Sequence, residues 1–118
     1  MQDELWVEPV GDLIVARLRG EPNEALLREC QERVLVLVKD TGRGRVLYDA
    51  LEMMPPPVQV TFVQQQLDEQ LGGVHLRRAI VVPNTKLAYM ARIAFGEGDY
   101  RVFYSDIAEA IRWLTDSA

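Results

Sequence analysis

Apolar and polar residues alternate from Leu13 to Arg19, with Ile14, Ala16 and Leu18 on one side and Val15, Arg17 and Arg19 on the other. That period of two is the signature of a half-buried strand. The run Leu5–Val10 precedes it across Gly11-Asp12, a pair suited to the tight turn of a β-hairpin. Gly20-Glu21-Pro22 then breaks the strand, and Asn23 stands where a helix needs an N-cap. Leu26, Leu27, Cys30, Val34, Leu37 and Val38 recur at helical spacing until Thr41-Gly42, where glycine can take the left-handed conformation that ends a helix. The stretch RVLYDAL (45–51) predicts a second apolar strand. A second helix starts near Val58, sets Val60, Val63, Leu67 and Leu71 on one face, and stops at Gly72-Gly73. RRAIVVP (77–83) shows no polar alternation, as expected of a strand covered on both faces. Lys86 to Phe95 reads as a helix with Leu87, Met90, Ala91 and Ala94 inward, and YRVFYS (100–105) as the last strand. Asp106, with Glu109 three residues on, predicts a capped final helix with Ile107, Ile111 and Leu114 as its stripe.

After the opening hairpin, strands alternate with helices, which demands parallel pairing and right-handed crossovers. The predicted fold class is therefore α/β: a mostly parallel five-stranded sheet opened by an N-terminal hairpin, with four helices, forming a single domain over residues 1–118. A chain of 118 residues is long enough for one core. Composition narrows the function. Net charge is -5, which opposes binding to a phosphate backbone and disfavours nucleic acid as partner. No apolar run reaches the roughly 20 residues of a membrane helix, and the N-terminus has no signal core, so a cytoplasmic location is expected. Cys30 is the only cysteine and His75 the only histidine; a zinc site would have to be built from carboxylates, so no metal and no cofactor are expected. Cys30 lies on the apolar helix face and reads as a small core residue rather than a reactive thiol.

In a parallel sheet, ligands bind beyond the carboxyl ends of the strands. That edge carries Glu21 and Asn23, Asp49 with the loop LEMMPPP, Asn84-Thr85-Lys86, and Ser105-Asp106. Helix capping alone accounts for Asn23, Asn84, Thr85, Ser105 and Asp106. Asp49 is an acid at the end of an apolar strand and needs solvent or a donor; its own loop can supply one. Asp49 followed by Met-Pro locally resembles the phosphoacceptor strand of a response-regulator receiver, but the acidic pair that would hold magnesium is missing. There is no nucleophile elbow and no glycine-rich phosphate loop. Arg43, Arg45, Arg77, Arg78 and Arg101 precede the parallel strands, where they offset the negative ends of helix dipoles or, alternatively, line a groove for an acidic partner.

The segments LIVARLRGEPN, GRVLYDAL, RRAIVVPNTKLAYMARIAF and YRVFYSDIAEAIRWL, in order over nearly the whole chain, resemble the STAS domain of anti-sigma-factor antagonists and sulphate transporters, and its SpoIIAA-like branch most closely. In signalling members of that family, a Ser or Thr capping the helix after the Asp-ending strand is phosphorylated to switch binding off. The matching DALEMMPPPVQVT has no Ser, and its Thr61 falls about a turn too late. The resemblance therefore implies a non-enzymatic interaction module without the usual phosphorylatable residue. It would meet a protein partner through the loop at 49–58 and the helix after it, whose QQQLDEQ gives a polar outer side. Alternatively, a small apolar, lipid-like ligand would enter a pocket lined by Met54, Phe62, Tyr89 and Met90. An enzyme would have to depend on Asp49. The candidate binding residues are Asp49, Met53, Met54, Pro55, Pro56, Phe62, Asn84 and Tyr89. Met53 and Met54 either form an adaptable docking surface or fold under the loop into the core. The outer strand Leu5–Val10 could pair with a second copy in a homodimer, and Pro9 reads as a guard against that.

Overall fold

The computed structural model describes residues 4–71, 73–96 and 98–116. Five strands, β1 (Leu5–Val10), β2 (Leu13–Gly20), β3 (Arg45–Met53), β4 (Arg77–Val82) and β5 (Tyr100–Tyr104), make one sheet in the order β1-β2-β3-β4-β5. β1 is antiparallel to β2, and every later pair is parallel. The four helices are α1 (Glu24–Thr41), α2 (Val58–Glu69), α3 (Thr85–Phe95) and α4 (Ile107–Thr115). This is the predicted class and element order.

Local chemistry explains the boundaries. Val10 pairs with Leu13 across a two-residue turn in which Gly11 takes φ 58. Positive φ at the first central position alone is the primed-turn pattern that matches strand twist. Asn23, Asn84 and Asp106 each cap a helix by accepting the amide three residues on, from Leu26 at 2.8 Å, Leu87 at 3.0 Å and Glu109 at 2.9 Å. α1 ends at Gly42, left-handed with φ 73, whose amide donates to the Val38 carbonyl.

The helices are shared unequally between the two faces of the sheet. α1, α2 and α3 lie on one face, where Ile14, Leu18 and Val46 meet Cys30 and Val34 of α1, and Ile80 and Val82 meet Leu87 and Phe95 of α3. α4 lies on the other, with Ala110 and Leu114 over Leu47, Ala79, Val81 and Phe103. β4 is buried almost throughout because both of its faces are covered, which is why its sequence does not alternate. Ile111 is exposed, so the inward stripe of α4 runs through Ile107, Ala110 and Leu114 rather than Ile111.

The arginine row at the amino edge turns inward. Arg77 stacks on Trp113 with its guanidinium 3.7 Å from the ring centroid, and donates to the Trp113 carbonyl in the last turn of α4. Arg78 is only 3% exposed; it pairs with Asp68 at the end of α2 and lies 4.5 Å over the Phe95 ring. Its second nitrogen is 3.4 Å from the other Asp68 oxygen. These two cations hold the ends of two helices against the sheet, so an acidic-partner groove through Arg77 and Arg78 is not formed.

Candidate functional site

The loop between β3 and α2 divides its side chains between inside and outside. The Met54 amide donates to the Gly20 carbonyl at 2.8 Å, which ties the loop to the end of β2. Met53 is half-buried and packs against the core, whereas Met54, its neighbour, is 58% exposed. Met53 therefore folds under the loop and Met54 does not. Pro56 is buried, Pro55 half-buried and Pro57 exposed. Pro57 is the N-cap of α2 and provides no side-chain cap.

The stripe expected of α2 turns toward the core, with Leu67 buried and Val60, Val63 and Leu71 half-buried, and polar residues widen it. Thr61 and Leu67 are buried, Val60 and Gln64 half-buried, and Asp68 turns in to Arg78. Gln31 of α1 reaches the Leu67 carbonyl at 2.7 Å, and Gln65 reaches the Ile93 carbonyl of α3 at 3.5 Å. Within the glutamine run, Gln65 thus bridges to α3 and Gln64 turns inward, while Gln66, Glu69 and Gln70 stay on the outer side. That outer side is not wholly polar, because it also carries Val58 and Phe62, one turn apart, with Phe62 48% exposed. Because α2 and α3 both return from parallel strands, they run in the same direction, and the Gln65–Ile93 contact aligns their levels. Phe62 of α2 and Tyr89 of α3 are both exposed, the tyrosine 66%. Met54 in the loop and Val58 in the first turn of α2 are exposed apolar side chains as well.

Two predicted site residues lie elsewhere. Asn84 is at the rim, but its side chain is committed to capping α3. Asp49 is inside β3 rather than at its end, opposite Arg17 on β2 and Val81 on β4. Its carboxylate accepts the Leu51 amide at 3.1 Å and lies 4.0 Å from Arg17. There the register slips, so that Glu52 rather than Leu51 pairs with Arg19. Asp49 thus holds a bulge, and it does so on the α4 face, away from α2. Arg17, Arg19 and Glu52 continue the ion-pair ladder over the uncovered part of that face, and Trp6 lies 5.3 Å from the Arg17 guanidinium. Among the described residues no group of three His, Cys, Asp or Glu side chains could hold a metal ion. His75 is on the surface, 3.1 Å from Asp99.

Behind the rim, between the helices and the sheet, lies a chamber of about 90 Å³ walled by apolar side chains that include Ile80, Val82, Leu87 and Met90. Of the four residues expected to line a pocket, only Met90 does so; Met54, Phe62 and Tyr89 point outward. They were chosen for being large and apolar near one loop, and the rotation of α2 and α3 decides which side they face. The polar side chains on the wall are Tyr48, Thr61 and Gln64. Thr61 is 5% exposed and its hydroxyl has no hydrogen-bond partner. Leaving a buried hydroxyl unpaired costs about 1–3 kcal/mol. Cys30 also lines the wall, and burial pushes its thiol up to about 12, with Glu29 adding to the rise and Arg33 opposing it. It is a core thiol without reactivity at neutral pH. Burial likewise raises the Tyr48 phenol, so Tyr48 stays neutral.

An antiparallel hairpin leading into a parallel sheet, three helices on one face and a fourth on the other, defines an α/β protein with the SpoIIAA-like fold. The particular likenesses are to solved structures. The anti-sigma factor antagonist SpoIIAA in its unphosphorylated form matches with a TM-score of 0.69 at 13% identity, over 93% of this chain and 95% of that one. An uncharacterised protein of the DUF3478 family from Shewanella loihica PV-4, also with a SpoIIAA-like fold, matches with a TM-score of 0.63 at 19% identity, over 93% and 91%. No family model matches the sequence, and no curated protein does. No helix among the described residues is long and apolar enough to cross a membrane.

Proposed function

We propose that the protein is a non-enzymatic interaction module that docks a protein partner through the rim strip of Met54, Val58, Phe62 and Tyr89. The observation that carries this reading is the exposure of two aromatic side chains on adjacent helices, together with that of Met54 and Val58 where the loop enters α2. Aromatic anchors of this kind dominate binding energy when a partner desolvates them. The stiff proline loop beside them lowers the entropy lost on docking. Likeness in fold to an anti-sigma factor antagonist, a protein that acts through another protein, supports the same class.

The phosphorylation switch of the family's signalling members has no counterpart at the start of α2, in keeping with the absence of the usual Ser or Thr from this loop. Pro57 occupies the N-cap of α2, and Thr61 is buried one turn later. Neither offers a kinase an accessible hydroxyl.

The test places a photo-crosslinking amino acid at Tyr89, and in a second variant at Val36, an exposed apolar residue of α1 outside the strip. A discrete cross-linked protein seen from Tyr89, absent from Val36, and lost when Phe62→Glu is added supports the reading. Cross-linking only to a second copy would make the strip a homodimer face instead, and equal labelling from both positions would overturn it.

A further inference from the structure

The chamber behind the rim carries an inference that does not depend on the docking strip. We propose that it binds a small neutral molecule with an aliphatic body and one hydrogen-bonding group, an alcohol or ketone, whose oxygen meets Thr61 Oγ1.

Three features select this chemistry. First, among the described residues the wall contains no charged side chain; a buried carboxylate or ammonium would be left unpaired in an apolar medium, so the ligand is neutral. Second, the wall is apolar apart from Tyr48, Thr61 and Gln64, so most of the volume offers water none of the two to four partners that an ordered water needs. Third, the Thr61 hydroxyl is buried and unpaired. A helical threonine ordinarily returns its hydroxyl to a carbonyl of the preceding turn. Here the hydroxyl stays unpaired on a residue that lines the chamber.

Size and access follow from the same wall. The volume of about 90 Å³ is smaller than the roughly 150 Å³ apolar cavity known to admit benzene, which points to a ligand of about four carbons. Leu27, Tyr48, Met53, Val60 and Gln64 are the half-buried members of the wall, and Leu27 of α1 with Val60 and Gln64 of α2 put the more accessible part of it between those two helices.

The experiment titrates methyl-labelled protein with 1-butanol, following the methyl resonances of Ile80, Val82 and Leu87, with sodium butyrate as the charged counterpart. Saturable shifts confined to these methyls are expected with butanol and not with butyrate. Thr61→Val keeps the shape of the wall and removes the hydroxyl, so it should weaken butanol binding about fivefold, the scale of one hydrogen bond. Ala91→Leu fills the chamber from α3 and should abolish the shifts. The proposal is overturned if butanol gives no saturable shift, if butyrate binds equally well, or if Thr61→Val binds butanol as tightly as the native chain. Should Ala91→Leu fail to fold, the comparison between Thr61→Val and the native chain still decides the matter.

Discussion

Replacing Asp68 with Ala should cost the protein a large part of its stability, although the residue touches neither the rim strip nor the chamber. The Arg78 side chain is 3% exposed and that of Asp68 16%. Removing the carboxylate leaves a guanidinium enclosed by Phe95 and the end of α2 with no counter-charge. Breaking a buried pair from one side costs about 3–5 kcal/mol. Because Asp68 retains some exposure, water can replace part of the lost contact, and the lower figure of about 3 kcal/mol is expected. For a chain of 118 residues, total stability is on the order of 6–18 kcal/mol, so this is a sizeable fraction. The unfolding entropy of such a chain, on the order of 250 cal/mol/K, converts the loss into a Tm lower by about 12 °C. Urea titration followed by circular dichroism measures the first quantity, and a thermal melt the second. The double variant Asp68→Ala/Arg78→Met removes both charges and should recover to within about 1 kcal/mol of the native chain. A loss below about 1 kcal/mol in the single variant, or no recovery in the double, would refute the claim that the pair is desolvated and anchors α2.

The remaining predictions use the same measurements. Gly98→Ala should cost about 1–2 kcal/mol, because an added Cβ would stand 2.6 Å from the Arg78 guanidinium and 3.3 Å from the Phe95 carbonyl; unchanged urea stability would contradict it. Met53→Ser should destabilise by about 2–3 kcal/mol while Met54→Ser stays within about 0.5 kcal/mol, and equal effects would mean that the loop does not divide the two methionines as described. Stability should be level below about pH 9 and fall as pH rises toward 12, since buried Cys30 and Tyr48 keep in the folded state protons that the unfolded chain releases. Each contributes a slope of up to about 1.4 kcal/mol per pH unit. Urea midpoints at pH 8, 9.5 and 10.5 should decline less steeply in Cys30→Ala than in the native chain.

Much of the architecture was legible because it is written in short-range chemistry. Asn23, Asn84 and Asp106 stand where caps are needed, Gly11-Asp12 makes the hairpin, and β4 lacks alternation because it is covered twice. What the sequence concealed depends on rotation and register. A slip within β3 puts Asp49 in mid-strand and leaves Met53 inside and Met54 outside, and no residue between them announces it. α2 turns a threonine and an aspartate inward and a phenylalanine outward, the reverse of what polarity alone predicts. Thr61 and Asp68 are tolerated there because one faces the chamber and the other has Arg78 to meet. The partnership of Asp68 and Arg78, from different elements, has no local sign in either segment. Arg78 could have been flagged only by its place beside an unbroken apolar strand, where an unpaired cation could not stay. The chamber was invisible for a related reason: a void is the absence of side chains, and it emerges only when small residues such as Ala50, Ala91 and Ala94 converge from separate elements.

Pro55, Pro56 and Pro57 present three successive carbonyls and not one amide hydrogen. An incoming peptide therefore cannot extend the sheet by laddering along this segment, because every second bond of such a ladder would lack its donor. Under the docking role proposed above, recognition at the rim would come from contour and oily contact, with few ionic contributions. Association there should be nearly indifferent to added salt, in contrast to anything that engages the Arg17, Arg19 and Glu52 ladder on the opposite face.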